Sequence, residues 1–170
     1  MAVRRDRRRR LTLPAVDLRE VTDANRAEVF ALRLAPGQDR FVSTVEDSIQ
    51  EAIETPQGSP WYRAVYAGDE PVGFVMLSWN VTPIPGEIIG PWFLWKLFVD
   101  ERYQGQGYGR AIMDCIIEIV RDEGGKELFT SCTTGDGEPW PFYERLGFVP
   151  TGERDEDGEV ILRLDLATAG

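Results

Sequence analysis

The sequence predicts a mixed α/β domain in which a central, twisted, mostly antiparallel sheet is flanked by helices. Three observations predict it. Short runs rich in β-branched and aromatic residues alternate with stretches of helical periodicity. Two of those runs, residues 61–66 and 72–79, are separated only by the turn-forming residues 67–71, which makes them a hairpin and therefore antiparallel. A later apolar run, residues 92–99, leads through a glycine-rich loop straight into a long, mostly apolar helix.

The elements follow in order. Residues 16–21 read as a first strand. Thr22 and Asp23 are capping residues, and behind them Ala27, Phe30, Ala31 and Leu34 recur at helical spacing until Pro36 and Gly37 break the pattern. Ser43 with Glu46 reads as a capping box for a second helix, with Val45, Ile49, Ala52 and Ile53 on its apolar face and Asp47, Glu51 and Glu54 opposite. Residues 56–60 are a loop before the hairpin, and residues 81–90, with two prolines, a loop behind it. The long helix runs to about Arg121. Arg110, Asp114, Glu118 and Arg121 form a narrow polar face, so most of its surface is buried. Gly124 and Gly125 end it. Residues 127–132 are a further strand. Residues 139–146 are a short helix that tolerates prolines in its first turn and stops at Gly147. The last strand, residues 160–166, places Val160, Leu162, Leu164 and Leu166 on one face.

Composition bounds the function. A chain of 170 residues fits one domain, expected over residues 14–170 behind an Arg-rich tail at 1–13 that reads as a disordered, solvated extension. The start lacks the apolar run of a secretory signal, and no stretch reaches the roughly 18 apolar residues of a membrane span. Two cysteines, Cys115 and Cys132, are too few for a disulfide framework and lack metal-ligand spacing, so a reduced, cytoplasmic setting is expected and no metal. The absence of histidine removes Ser-His-Asp and Cys-His catalysis. The net charge is -10, and the first ten residues carry six arginines and one aspartate, so the remainder is strongly acidic. Such a body repels nucleic acid and membrane surfaces and favours small cationic partners.

The strongest local signal is the segment from Leu97 to Arg110. It reads strand, short turn, glycine loop, helix. A helix N-terminus offers unpaired N–H groups to an anion, and Gly105, Gly107 and Gly109 let the backbone close on a phosphate. Arg110 adds a cation beside the loop. Gly109-Arg110-Ala111 is not the ending of a P-loop, and Gly-x-Gly-x-Gly is not the spacing of a dinucleotide fingerprint. A tight turn without a ligand is the competing reading.

Gln104-Gly105-Gln106-Gly107-Tyr108-Gly109 resembles the Arg/Gln-x-x-Gly-x-Gly/Ala acetyl-coenzyme A motif of GNAT acetyltransferases. The Asp100-Glu101-Arg102-Tyr103 turn and the later Phe142-Tyr143-Glu144-Arg145-Leu146-Gly147-Phe148 resemble that family too, and the element order from Val16 to Leu166 covers its whole domain. Within the family, residues 38–48, 72–76 and 103–109 look most like diamine or spermine/spermidine acetyltransferases.

The resemblance implies a GNAT-like acyl-CoA N-acyltransferase fold and an enzyme that moves acetyl from acetyl-coenzyme A to a primary amine, often as a dimer. It implies that Leu97, Phe98 and Val99 meet the pantetheine arm and that residues 104–110 (Gln104, Gly105, Gln106, Gly107, Tyr108, Gly109, Arg110) meet the pyrophosphate. Tyr143 takes the place of the family's general acid, which protonates the departing thiolate. Two departures stand out. Asp136 occupies the position of an asparagine that bonds the arm. Trp95 and Lys96 occupy the stretch where some members carry a glutamate base, which leaves Glu87, in the preceding loop, as a base candidate alongside a water chain or no dedicated base. Asp47 and Glu51 are candidates for holding the cationic acceptor, and Trp79 and Trp95 for lining its pocket with cation–π surfaces. The competing readings are an aminoglycoside, amino-acid or protein N-terminal acceptor, a non-catalytic coenzyme A sensor, and a nucleic-acid binder using Arg4 to Arg10.

Overall fold

In the computed structural model, which describes residues 12–38, 43–133 and 139–167, the hairpin supplies the second and third strands of a seven-stranded sheet. The strands are β1 (Asp17–Arg19), β2 (Pro60–Ala67), β3 (Glu70–Ser78), β4 (Phe93–Val99), β5 (Glu127–Cys132), β6 (Val149–Arg154) and β7 (Val160–Asp165). The helices are α1 (Arg26–Phe30), α2 (Val45–Glu54), α3 (Tyr108–Asp122) and α4 (Trp140–Leu146). The spatial order is β1-β2-β3-β4-β5-β7-β6, and every neighbouring pair is antiparallel except β4 and β5. The chain crosses from β4 to β5 through α3, the helical crossover that a parallel pair needs. The Arg-rich stretch 1–11 lies outside the described residues.

Each face of the sheet has its own core. On one, α3 buries Ile112, Met113, Ile116 and Val120 against Val75, Leu77, Leu94 and Leu128. On the other, α1 and α2 bury Val29, Val45, Ile49 and Ala52 against Ala64, Phe74, Met76 and Phe98. Val75 and Phe74 sit on opposite faces because strand side chains alternate. Gly73 has a packing reason: a Cβ there would lie 2.3 Å from the Phe98 carbonyl oxygen of the neighbouring strand.

Several boundaries differ from the periodicity. The first helix stops at Phe30 although Leu34 continues its pattern. At Arg33 the backbone is taken by another partner: its N–H donates to Asp100 Oδ2 (2.8 Å) and its carbonyl accepts from the Glu101 N–H (2.8 Å). The cap of α2 is Thr44, whose Oγ1 accepts from the Asp47 N–H at 3.1 Å, and not Ser43, whose hydroxyl lies 3.4 Å from Lys96 Nζ. Strand β6 carries no alternation because it is an exposed edge, where Pro150 and Gly152 cost no ladder on a far side.

Asp100 ties these parts together. Its buried carboxylate accepts from the Arg33 N–H, from the Arg102 N–H (3.0 Å) and from Arg102 Nε (2.8 Å). Burial pushes its carboxyl up, but the hydrogen bonds from the Arg102 side chain and the two amides outweigh it and leave the group below the ordinary aspartate range. Its stabilisation is therefore present above the unfolded pKa and is lost as pH falls through the folded one. Asp100→Ala leaves two part-buried amides without their acceptor, and a loss of about 1–2 kcal/mol is expected in urea unfolding at neutral pH. The gap between variant and wild type should narrow as the solution is acidified below the carboxylate range.

Candidate active site

The site begins at an irregularity in β4. Opposite β3, Met76 pairs with Lys96 but Leu77 pairs with Leu94, so Trp95 is an extra, bulged residue. The bulge places Trp95 and Lys96 on the same side, toward α2, while Leu94 and Leu97 both face the α3 core. Both reach Glu51 of α2: the Trp95 indole N–H donates to Oε1 at 3.0 Å and Lys96 Nζ lies 2.9 Å from Oε2.

Pairing between β4 and β5 stops just there. It consists of Phe93↔Phe129 and Leu94↔Thr130, after which the Thr130 hydroxyl donates to the Leu94 carbonyl at 3.0 Å. Beyond that point the strands splay, and the β5-facing backbone of residues 95–98 has no strand beside it. The gap opens into a cleft of about 840 Å³ lined by Leu97, Phe98 and Val99 on one wall and by Thr130, Ser131 and Cys132 on the other. Unpaired main-chain groups along a wall are available to an extended, amide-bearing ligand.

The glycine loop forms one end of this cleft. Gly107 is the cap residue of α3, with φ of 90° and no side-chain cap, so the first amides of the helix are open toward the cleft. Gly105, Tyr108, Gly109 and Arg110 line the same end. Gln104 uses its side chain otherwise: Nε2 donates to the Val99 carbonyl (2.9 Å) and to Gln38 Oε1 (2.7 Å), and its own Oε1 accepts from Gln38 (3.0 Å). The side chain of Gln106 folds back onto the Arg102 carbonyl (3.1 Å) and stays outside the cleft lining. Arg110 is half-exposed and paired to Asp114 at 3.0 Å, a contact of the weak, exchangeable kind.

Tyr143 comes to the cleft from α4, on the α3 side. Its ring packs edge-on against Phe142 and Phe148, with centroids 5.2 and 5.4 Å away. Burial pushes its phenol well above the ordinary tyrosine range, and a hydrogen bond with Thr130 offsets this only in part. A phenol in that state keeps its proton at neutral pH.

The other residues singled out from sequence are distributed as follows. Glu51 and Trp95 line the cleft. Asp47 is exposed on α2 outside it, and Trp79 packs between Trp61 (5.3 Å) and Trp92 (4.9 Å). Glu87 sits in the exposed loop after β3 and lines a neighbouring cleft, not the one that holds Tyr143. Asp136 lies outside the described residues. The sequence reading passed over Lys96 as a partner of Glu51, and over Asp155, Asp157 and Glu159, which line the mouth of the cleft from the β6–β7 turn. By composition that turn is a run of charged residues. Its place at the cleft follows from the pairing of β7 with β5, which no local pattern encodes.

A splayed parallel strand pair that ends on a glycine-capped helix, with a buried phenol beside the gap, forms a cleft suited to an extended, amide-bearing ligand. Residues 22–148 match the model of the acetyltransferase (GNAT) family, and the chain belongs to that family as an N-acetyltransferase. It is 28% identical to the spermine/spermidine N(1)-acetyltransferase of Bacillus subtilis over 153 residues, 89% of this chain and 99% of that one. It is 28% identical to an aminoglycoside N(6')-acetyltransferase type 1 of Stenotrophomonas maltophilia over 140 residues, 81% and 88% of the two chains. The fold is similar to that of PaiA N-acetyltransferase from Thermoplasma acidophilum in complex with coenzyme A, with a TM-score of 0.60, 13% identity and coverage of 89% and 99%.

Because Gly107 holds a positive φ that an L side chain reaches only at a cost of about 1–2 kcal/mol, Gly107→Ala is expected to lower the melting temperature by several degrees in calorimetry. Gly109→Ala, at an ordinary φ but with Phe142 ring atoms 3.3 Å away, should cost less.

Proposed function

We propose that this enzyme transfers the acetyl group of acetyl-coenzyme A to a primary amine of a small polycation, of the polyamine class. The observation that carries the proposal is the pairing of the β4–β5 gap with two different surroundings. A neutral phenol lies on the α3 side, and carboxylates rim the mouth. Thioester aminolysis needs both, because sulfur must gain a proton and a cationic amine must be held and lose one.

The residues present fit the donor. The β4 wall offers unpaired backbone to the amides of a pantetheine arm, and the open amides behind Gly107, with Arg110 nearby, suit a pyrophosphate. Acetyl-coenzyme A, when bound, would supply the activated thioester. Leu97, Phe98 and Val99 then orient it, and Tyr143 gives its phenolic proton to the sulfur as the C–S bond breaks. Asp155, Asp157 and Glu159 attract the cationic acceptor to the mouth, in keeping with the acidic body of the chain. Glu51 already has both oxygens engaged by Trp95 and Lys96 and contributes less. Glu87 receives no step, since it lines the other cleft. The match to a Bacillus polyamine acetyltransferase across nearly the whole chain supports the polyamine class, and the aminoglycoside acetyltransferase match makes that polycation the second acceptor to test.

Thiol release from acetyl-coenzyme A is measured against spermidine, spermine, putrescine, lysine, kanamycin and a short peptide. Turnover of the polyamines above the rest is the expected result. Preference for kanamycin or the peptide would reassign the acceptor. Calorimetric coenzyme A binding without release for any amine would point to a sensor. Tyr143→Phe is expected to lower kcat by about 100-fold while coenzyme A affinity stays within about threefold. Unchanged turnover would remove Tyr143 from the chemistry.

A further inference from the structure

Tyr143 serves the sulfur, and amide formation needs a second group at the nitrogen. Strand alternation shows which face each side chain serves. On β5, Leu128, Thr130 and Cys132 are buried toward α3 and α4, so Ser131 and Thr133 point to the α2 face. On β7, Leu162 and Leu164 enter the same α3 core, so Ile161 and Glu159, which immediately precedes the strand, point to the α2 face. Tyr143 thus stands on one side of the β4–β5 gap and Glu159 on the other.

Glu159 is held in place. Ser131 Oγ donates to its Oε2 at 2.7 Å, its N–H donates to Asp155 Oδ1 at 2.9 Å, and its carbonyl accepts from the Asp155 N–H at 3.0 Å. It is half-buried, lines the cleft, and is near enough for its charge to act on the Tyr143 phenol. At the same end, Thr133 Oγ1 is buried and has no hydrogen-bond partner among the described residues. An unsatisfied hydroxyl on the cleft wall can bond a polar group that enters this end.

We propose that Glu159 is the carboxylate that takes the proton from the attacking amine, working across the β4–β5 gap from Tyr143. This rests on the reading that the cleft acetylates an amine, but not on which amine. The ammonium gives one proton to Glu159, which passes it to solvent. The neutral nitrogen attacks the thioester carbon, the C–N bond forms, and the C–S bond breaks with its electron pair going to sulfur. Tyr143 protonates the sulfur. The second nitrogen proton leaves and, through solvent, restores the phenol. Glu159 faces Asp155 and Asp157 from its own turn, Ser131 from β5 and Tyr143 from α4. Burial pushes its carboxyl above the ordinary range, the Ser131 hydrogen bond pulls it back in part, and the two aspartates push it up again. A base of this kind acts once ionised, so activity rises as pH passes through its pKa from below.

The test uses whichever amine the wild type turns over in the acceptor panel. Glu159→Gln is expected to lower kcat/KM by at least about 100-fold at neutral pH, to flatten the acid limb of the pH profile, and to leave calorimetric coenzyme A affinity unchanged. Ser131→Ala removes the bond that lowers the Glu159 pKa, so its acid limb should move to higher pH. Glu156→Gln, an exposed carboxylate outside the cleft, should retain wild-type rate and profile. A Glu159→Gln enzyme within about threefold of wild type with its acid limb intact overturns the assignment, and so does an unshifted limb in Ser131→Ala, which decides the matter should Glu159→Gln not fold. Wild type inert toward every amine would overturn the acetyl-transfer reading itself, and that is seen before any variant is compared.

Discussion

The extra residue in β4 is the constraint from which the site follows. Without the bulge at Trp95, β4 would continue beside β5 and its backbone groups would be consumed by a ladder. With it, the parallel pairing ends after Leu94↔Thr130, and a gap opens in the middle of the sheet where main-chain donors and acceptors have no strand to satisfy them. Such a gap is tolerable only if something polar enters it, water in the resting enzyme or an amide-bearing arm in the working one. A sheet thus becomes a binding site without losing its core, since the α3 face stays packed by Leu94 and Leu97 on either side of the bulge.

The same bulge rearranges the charges on the α2 face. Two consecutive side chains point the same way, and both are spent on Glu51. The Lys96 side chain is mostly buried, with 15% exposure, so its ammonium needs that partner. A carboxylate already neutralised by an adjacent lysine and bonded to an indole offers little to a second cation. The other carboxylates that line the cleft among the described residues are those of the β6–β7 turn, and the proposed cationic acceptor is assigned to them for that reason.

Much of this was legible in the sequence. The hairpin, the helix behind the glycine loop, and β5 at residues 127–132 follow from local periodicity and turn chemistry, because each has one buried face and a breaker at its end. Tyr143 was found by its place in a motif. What stayed hidden depends on contacts distant in the chain. The early end of α1 is decided by Asp100, 67 residues from Arg33. The bulge is a register between β3 and β4, invisible in either strand alone. Glu159 belongs to a stretch, Glu153 to Glu159, whose composition says only that it is solvated. Ser131, 28 residues away, turns one member of that stretch into a fixed group in the cleft.

The opposition of faces also explains why the two ionisable groups can be tuned independently. Tyr143 is raised by apolar packing from α4, Phe142 and Phe148, which keeps it a donor. Glu159 is raised by partial burial and by neighbouring aspartates, against the Ser131 hydrogen bond that lowers it. Placed on the same face, the pair would compete for one proton and one approach to the thioester. Placed across a gap between two strands, the two groups serve different atoms in the proposed reaction, Tyr143 the leaving sulfur and Glu159 the arriving nitrogen.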